Sequence, residues 1–145
     1  MSSFRSLLNP LLCLAAASTL CVAGLAQAGG ADVTFNVTNN GFGAWRIDGT
    51  DNPPLTLERG KTYAFALQGV SAAHPFNINT MNTTGSANLY NDGVTNNGAT
   101  GSTVISFSVP QAAPDSLHYN CGNHAAMNGP ITIISDTLFV NGFDG

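Results

Sequence analysis

Charge is scarce in this 145-residue chain: charged side chains make up 8%, against about 25% in an ordinary globular domain. Only four residues are Lys or Arg, against eight Asp or Glu. That shortage excludes a protein that holds nucleic acid by neutralising phosphates. Apolar residues are not short, at 43%, so the chain lacks the polar, highly charged composition of disorder. No stretch of ten or more residues after position 28 carries a helical apolar stripe. Cysteine is nearly absent as well: three occur, and two of them, Cys13 and Cys21, lie in the first 28 residues.

Those 28 residues read as an export signal. Arg5 gives the positive start, an apolar stretch runs from Leu11 to Leu25, and Ala26-Gln27-Ala28 is a small-x-small cleavage site before Gly29. The apolar stretch is short and alanine-rich for a membrane span. Leu12 and Leu20 precede the two cysteines, where a lipoprotein site needs a small residue. The expectation is a periplasmic or secreted bacterial protein, a monomer with no stable membrane insertion. Processing would leave 117 residues, one cysteine (Cys121), and a net charge of −5 from Arg46, Arg59 and Lys61 against eight acids. A lone cysteine in an exported chain cannot form an internal disulfide. It is a buried bystander, an intermolecular partner or a functional thiolate.

Residues 29–135 have strand grammar. Val33, Phe35 and Val37 alternate with polar neighbours, as do Tyr63, Phe65 and Leu67, then Ile105, Phe107 and Val109, then Ile131 and Ile133. A period of two marks half-buried strands. Between them stand turn residues such as Asn39-Asn40-Gly41, Asp51-Asn52-Pro53-Pro54 and Asn96-Asn97-Gly98. This pattern predicts an all-β sandwich of seven or eight strands in one domain. Thr80–Thr100 is polar and irregular and predicts a long loop with at most one short strand. Residues 136–145 read as a short C-terminal tail.

The chemistry concentrates in one stretch. Cys121, His124 and Met127 stand at Cys-x2-His-x2-Met, bounded by Leu117-His118-Tyr119-Asn120 and Gly129-Pro130-Ile131. Thiolate, imidazole and thioether are soft donors that suit copper. The alternation Leu117, Tyr119, Cys121 sends the cysteine inward at a strand end, and the loop after it can fold His124 and Met127 back. A trigonal site needs a second nitrogen, for which His74 is the candidate, 47 residues upstream and so expected on a different strand. By parity His118 faces outward and is expected on the solvent surface. Trp45 and Tyr63 are expected in the core, and Met81 to have no ligand role. Taken singly, a buried thiol, a core methionine and a satisfied histidine need no metal; the joint spacing is what points to one.

These residues resemble the cupredoxins, the small blue-copper proteins of plastocyanin and amicyanin type. The resemblance spans the upstream His74, Val109-Pro110-Gln111-Ala112-Ala113-Pro114, and the ending Cys-x2-His-x2-Met-x-Gly-x-Ile-x-Ile. The short ligand loop is most similar to that of amicyanin. It implies a Greek-key β-sandwich and a single-electron carrier rather than an enzyme. It further implies one type 1 copper, with His74, Cys121 and His124 equatorial and Met127 the weak axial ligand. A copper module for delivery or storage is the alternative. One departure concerns the residue after His74, which in that family is commonly an Asn whose N–H donates to the cysteine sulfur. Here it is Pro75, which has no N–H, and the lost donor is expected to favour Cu(I). Asn123 is the candidate replacement. The loop around His124 has small uncharged neighbours, Ala125, Ala126 and Pro130, and no Lys or Arg follows Leu117. The expected partner is therefore a redox protein docking on an apolar patch centred on His124, with little electrostatic steering.

Overall fold

The computed structural model describes residues 30–135. The expected leader, 1–28, and the tail, 136–145, lie outside the described residues. The described chain forms ten strands and no helix: β1 (Val33–Asn40), β2 (Ala44–Ile47), β3 (Thr50–Asp51), β4 (Leu55–Glu58), β5 (Thr62–Leu67), β6 (Phe76–Asn79), β7 (Val94–Thr95), β8 (Val104–Ser108), β9 (Ser116–Cys121) and β10 (Asn128–Ile134). Eight have four residues or more, within the expected seven or eight; β3 and β7 are two-residue additions.

The strands build two sheets, β3-β2-β1-β5-β8-β7 and β4-β10-β9-β6. The chain crosses between them at β3–β4, β4–β5, β5–β6, β6–β7 and β8–β9, so each sheet is assembled from distant segments. One consequence is a parallel pair in each sheet, β1 with β5 and β10 with β4. The inner faces meet through aromatic rings. Phe76 of the second sheet lies 4.9 Å from Trp45 and 5.4 Å from Phe65 of the first, centroid to centroid. Trp45, Phe65, Phe76, Phe107, Leu117, Tyr119 and Ile131 are wholly buried. Burying each such side chain is worth about 1.5–3 kcal/mol, so the core needs no metal to hold it. Trp45 and Tyr63 are core residues, as expected.

The 80–100 segment is irregular apart from β7, but it is not a free loop. It lies along β6, the sheet edge, through bridges Phe76↔Ala99 and Asn79↔Leu89. Asn97 takes the place of a strand there: its side chain accepts from Ile78 N and donates to Ile78 O, at 2.8 and 3.0 Å. An open edge is thereby closed. The same segment covers the outward face of β6 and β9. Asn77 donates to Gly85 O, Asn79 to Thr83 O and Asn120 to Asn82 Oδ1, so three outward-facing asparagines are buried.

His118 corrects the sequence reading. Its parity is opposite to Tyr119 and Cys121 as expected, but it is half-buried rather than on the open surface, and its Nδ1 is buried without a partner. The reason is placement: β9 is an inner strand, and Pro130 of β10 and Asn79 of β6 flank His118 on either side.

Candidate metal centre

Cys121 ends β9 and is fully buried, on the inward face with Leu117 and Tyr119. Its N–H donates to Met127 O at 2.8 Å, and Met127 N donates to His124 O at 3.1 Å. Those two bonds close the loop from Cys121 to Met127 into a compact turn. His74 does not come from a strand, as expected from sequence, but from the turn before one, with His74 N donating to Ser71 O at 2.9 Å. Pro75 explains the difference. It has no N–H to give a ladder, so pairing starts one residue later, at Phe76↔Cys121. That pair still sets His74 beside the cysteine.

The result is a convergence of donors. Cys121 Sγ lies 3.7 Å from His74 Nδ1 and 3.4 Å from His124 Nδ1, and the three donor atoms all fall within 4.8 Å of one another. Ligand bonds of about 2.0–2.3 Å, opening between tetrahedral and trigonal angles, separate a sulfur and a nitrogen by about 3.5–3.8 Å. The distance to His74 falls within that span and the distance to His124 within about 0.1 Å of it, close to what a single first-row ion needs. Thiolate with two imidazoles is the donor set of a trigonal copper site. Burial, and then the neighbouring His124, pushes His74 below the usual imidazole pKa, so it is held neutral with a lone pair to offer. Met127 is fully buried and tied by its main chain to both Cys121 and His124. Met81 remains exposed in the covering segment.

The surroundings fix this arrangement through amides. Asn123 N donates to Cys121 Sγ at 3.5 Å, so the replacement for the donor missing at Pro75 is present. The Asn123 side chain donates to Ala73 O at 2.9 Å, joining the two histidine-bearing segments. Asn52 accepts from Trp45 N and donates to Ala126 O, both at 2.9 Å. Asn128 donates to Ala125 O at 2.8 Å.

Two further groups border the histidines, and neither is visible in the motif. Trp45 meets His74 edge-on at 6.3 Å, with its Nε1 buried and unpartnered. Phe42 lies over both imidazoles, 5.5 Å from His74 and 5.1 Å from His124. The available signal for Phe42 was its position: a large aromatic in the turn Asn39-Asn40-Gly41-Phe42-Gly43, where polar and small residues belong.

No protein-family model and no curated relative matches the chain. Among solved structures, reduced rusticyanin is similar at 20% identity and a TM-score of 0.48, covering 73% of this chain and 82% of that one. Rusticyanin from Thiobacillus ferrooxidans is similar at 20% identity and 0.46, covering 70% and 75%. A mutant of amicyanin in its reduced Cu(I) form is similar at 14% and 0.44, covering 74% and 85%. These neighbours are cupredoxins. The case for the metal in this chain is the donor geometry itself. Among the described residues no helix is long and apolar enough to cross a membrane.

Proposed function

We propose that this is a small exported blue-copper protein that carries single electrons, with His74, Cys121 and His124 as equatorial ligands and Met127 as the axial one. The observation that carries the proposal is the convergence of the three donor atoms within 4.8 Å on a core that does not depend on them. Copper held there would supply one-electron chemistry by cycling between Cu(II) and Cu(I). The chain's part is to keep its ligands still. Cys121 is fixed by β9, His74 by the turn against Phe76↔Cys121, and His124 by a loop pinned at Ala125 and Ala126 by Asn128 and Asn52. Ligands that do not move between oxidation states let electrons pass with little reorganisation, which suits a carrier rather than a catalyst. The test is voltammetry of the copper-loaded protein. A reversible one-electron wave supports carriage; copper that dissociates on reduction supports delivery or storage instead.

Met127→Leu is expected to keep the thiolate-to-copper band and raise the potential. An axial thioether is a weak donor that stabilises Cu(II) slightly. A lowered potential, or complete loss of the band, would remove Met127 from the axial position.

The partner surface is proposed at the loops carrying the histidines. His124 is half-buried, and Ala125, Ala126, Ala72 and Ala73 are exposed and uncharged. A redox protein could approach closely there and leave quickly. Ala126→Glu is expected to leave the visible spectrum unchanged. It should slow electron self-exchange between copies by about tenfold, through a buried like-charge contact. An unchanged exchange rate would place the electron exit elsewhere.

A further inference from the structure

Among the described residues Phe42 is the most exposed of the large apolar side chains, at 67%, yet its ring borders the two candidate copper ligands. Its centroid is 5.1 Å from His124 and 5.5 Å from His74, tilted by 37° and 44°, while the imidazoles are 4.7 Å apart. The three rings form one cluster with Phe42 on its solvent side. Exposing a phenylalanine forfeits burial energy, so the position calls for a reason.

The hairpin that carries it is built to hold the ring in place. β1 and β2 pair as far as Asn40↔Ala44, and Gly43 N donates to Asn40 O at 3.2 Å. Gly41 takes a φ of +56°, a conformation that side-chain-bearing residues seldom adopt. The Asn39 side chain donates to Gly41 O at 3.0 Å, and the Asn40 side chain to Asp51 Oδ2 at 2.8 Å. Phe42 thus projects from a turn braced on both sides. That turn belongs to the first sheet, whereas Cys121 and the ligand loop belong to the second.

We infer that Phe42 is a positioning residue that caps the metal centre, shielding both imidazoles from water and from small ligands and restricting their rotation. The inference rests on the copper reading above for its purpose, but its geometry stands without a metal. Apolar cover around a metal site controls solvent access and, through it, the potential. A cap carried on a separate hairpin can do so without constraining the ligand loop itself.

The test has two arms. In the first, metal-free full-length protein is treated with diethyl pyrocarbonate, and carbethoxylation of each histidine is followed by peptide mass mapping. His118, half-buried in the second sheet away from the cap, serves as the internal reference. Phe42→Ala is expected to speed modification of His124 relative to His118 by about tenfold, and Phe42→Leu by much less. In the second arm, copper-loaded protein is titrated with azide. The parent band should not change, while Phe42→Ala should lose thiolate-to-copper intensity as azide binds. Equal His124 reactivity in parent and Phe42→Ala would overturn the cap and leave the copper reading standing. A parent with a protected His124 but no copper band would do the reverse. An azide-indifferent Phe42→Ala would show that Phe42 does not guard the metal.

Discussion

Replacing Cys121 by serine is expected to abolish the intense visible absorption of the copper-loaded protein while leaving its β-sheet circular dichroism intact. The band arises from charge transfer between a thiolate and Cu(II), and Cys121 is the one cysteine among the described residues. A serine hydroxyl is a harder donor and does not ionise near neutrality, so the soft trigonal set is broken. Copper affinity should fall with it. The fold should survive, because the aromatic and aliphatic layer between the sheets is assembled without the metal. A buried hydroxyl that lacks a full partner costs about 1–3 kcal/mol, so a lowered melting temperature is expected and unfolding is not. A Cys121→Ser protein that keeps the band would show that the sulfur ligand had been misassigned.

A large loss of stability is also expected from a residue that binds nothing. Gly129→Ala would place a methyl group inside Tyr119, its cross-strand partner, overlapping the ring at Cε1 and Cζ and the hydroxyl itself. Tyr119 has nowhere to go. It is wholly buried, stacked on Phe76 at 5.7 Å with planes 7° apart, and its hydroxyl donates to Pro53 O at 2.6 Å. Overpacking costs about 1–3 kcal/mol, and a tyrosine hydroxyl pulled from its acceptor adds about 1–3 more. Urea unfolding should therefore show Gly129→Ala destabilised by about 2–6 kcal/mol. Gly43→Ala, whose added methyl would meet only Asn40 O at 3.8 Å, should stay within about 0.5 kcal/mol of the parent. A Gly129→Ala change of under about 1 kcal/mol would mean that β9 and β10 are spaced differently from the description above. The clash also bears on the site. Tyr119 precedes Cys121 by two residues and Gly129 follows Met127 by two, so the glycine in the ending motif is required by packing rather than by ligation.

How far these features could be read from the sequence varies with their range. Alternation found β5, β8 and β10 and set the inward parity of Cys121, because each depends on residues within one strand. It was less exact for β1, where Val37 is buried but Val33 is 41% exposed at the strand's start. The parallel pairs β1·β5 and β4·β10 were not legible, since they join residues 30 and 76 positions apart and nothing local encodes the partner. Outward parity normally means solvent on one face of such a sheet. It failed for Asn77, Asn79, Asn120 and His118 because β6 and β9 are covered or flanked by other segments. The convergence of His74, Cys121 and His124 was legible because ligand chemistry restricts residue type and loop length together. The clamps were not: Asn52, Asn123 and Asn128 read as turn residues, and only the folded chain shows that their amides reach Ala126, Ala73 and Ala125. Phe42 showed only as an aromatic out of place in a turn, because its role rests on contacts made across the two sheets.

The most direct test of the account is a titration of the metal-free protein with Cu(II), followed by visible absorption. The account predicts an intense thiolate-to-copper band that grows linearly and stops at one copper per chain. A colourless complex, or no copper bound at all, would contradict a metal centre built from His74, Cys121, His124 and Met127.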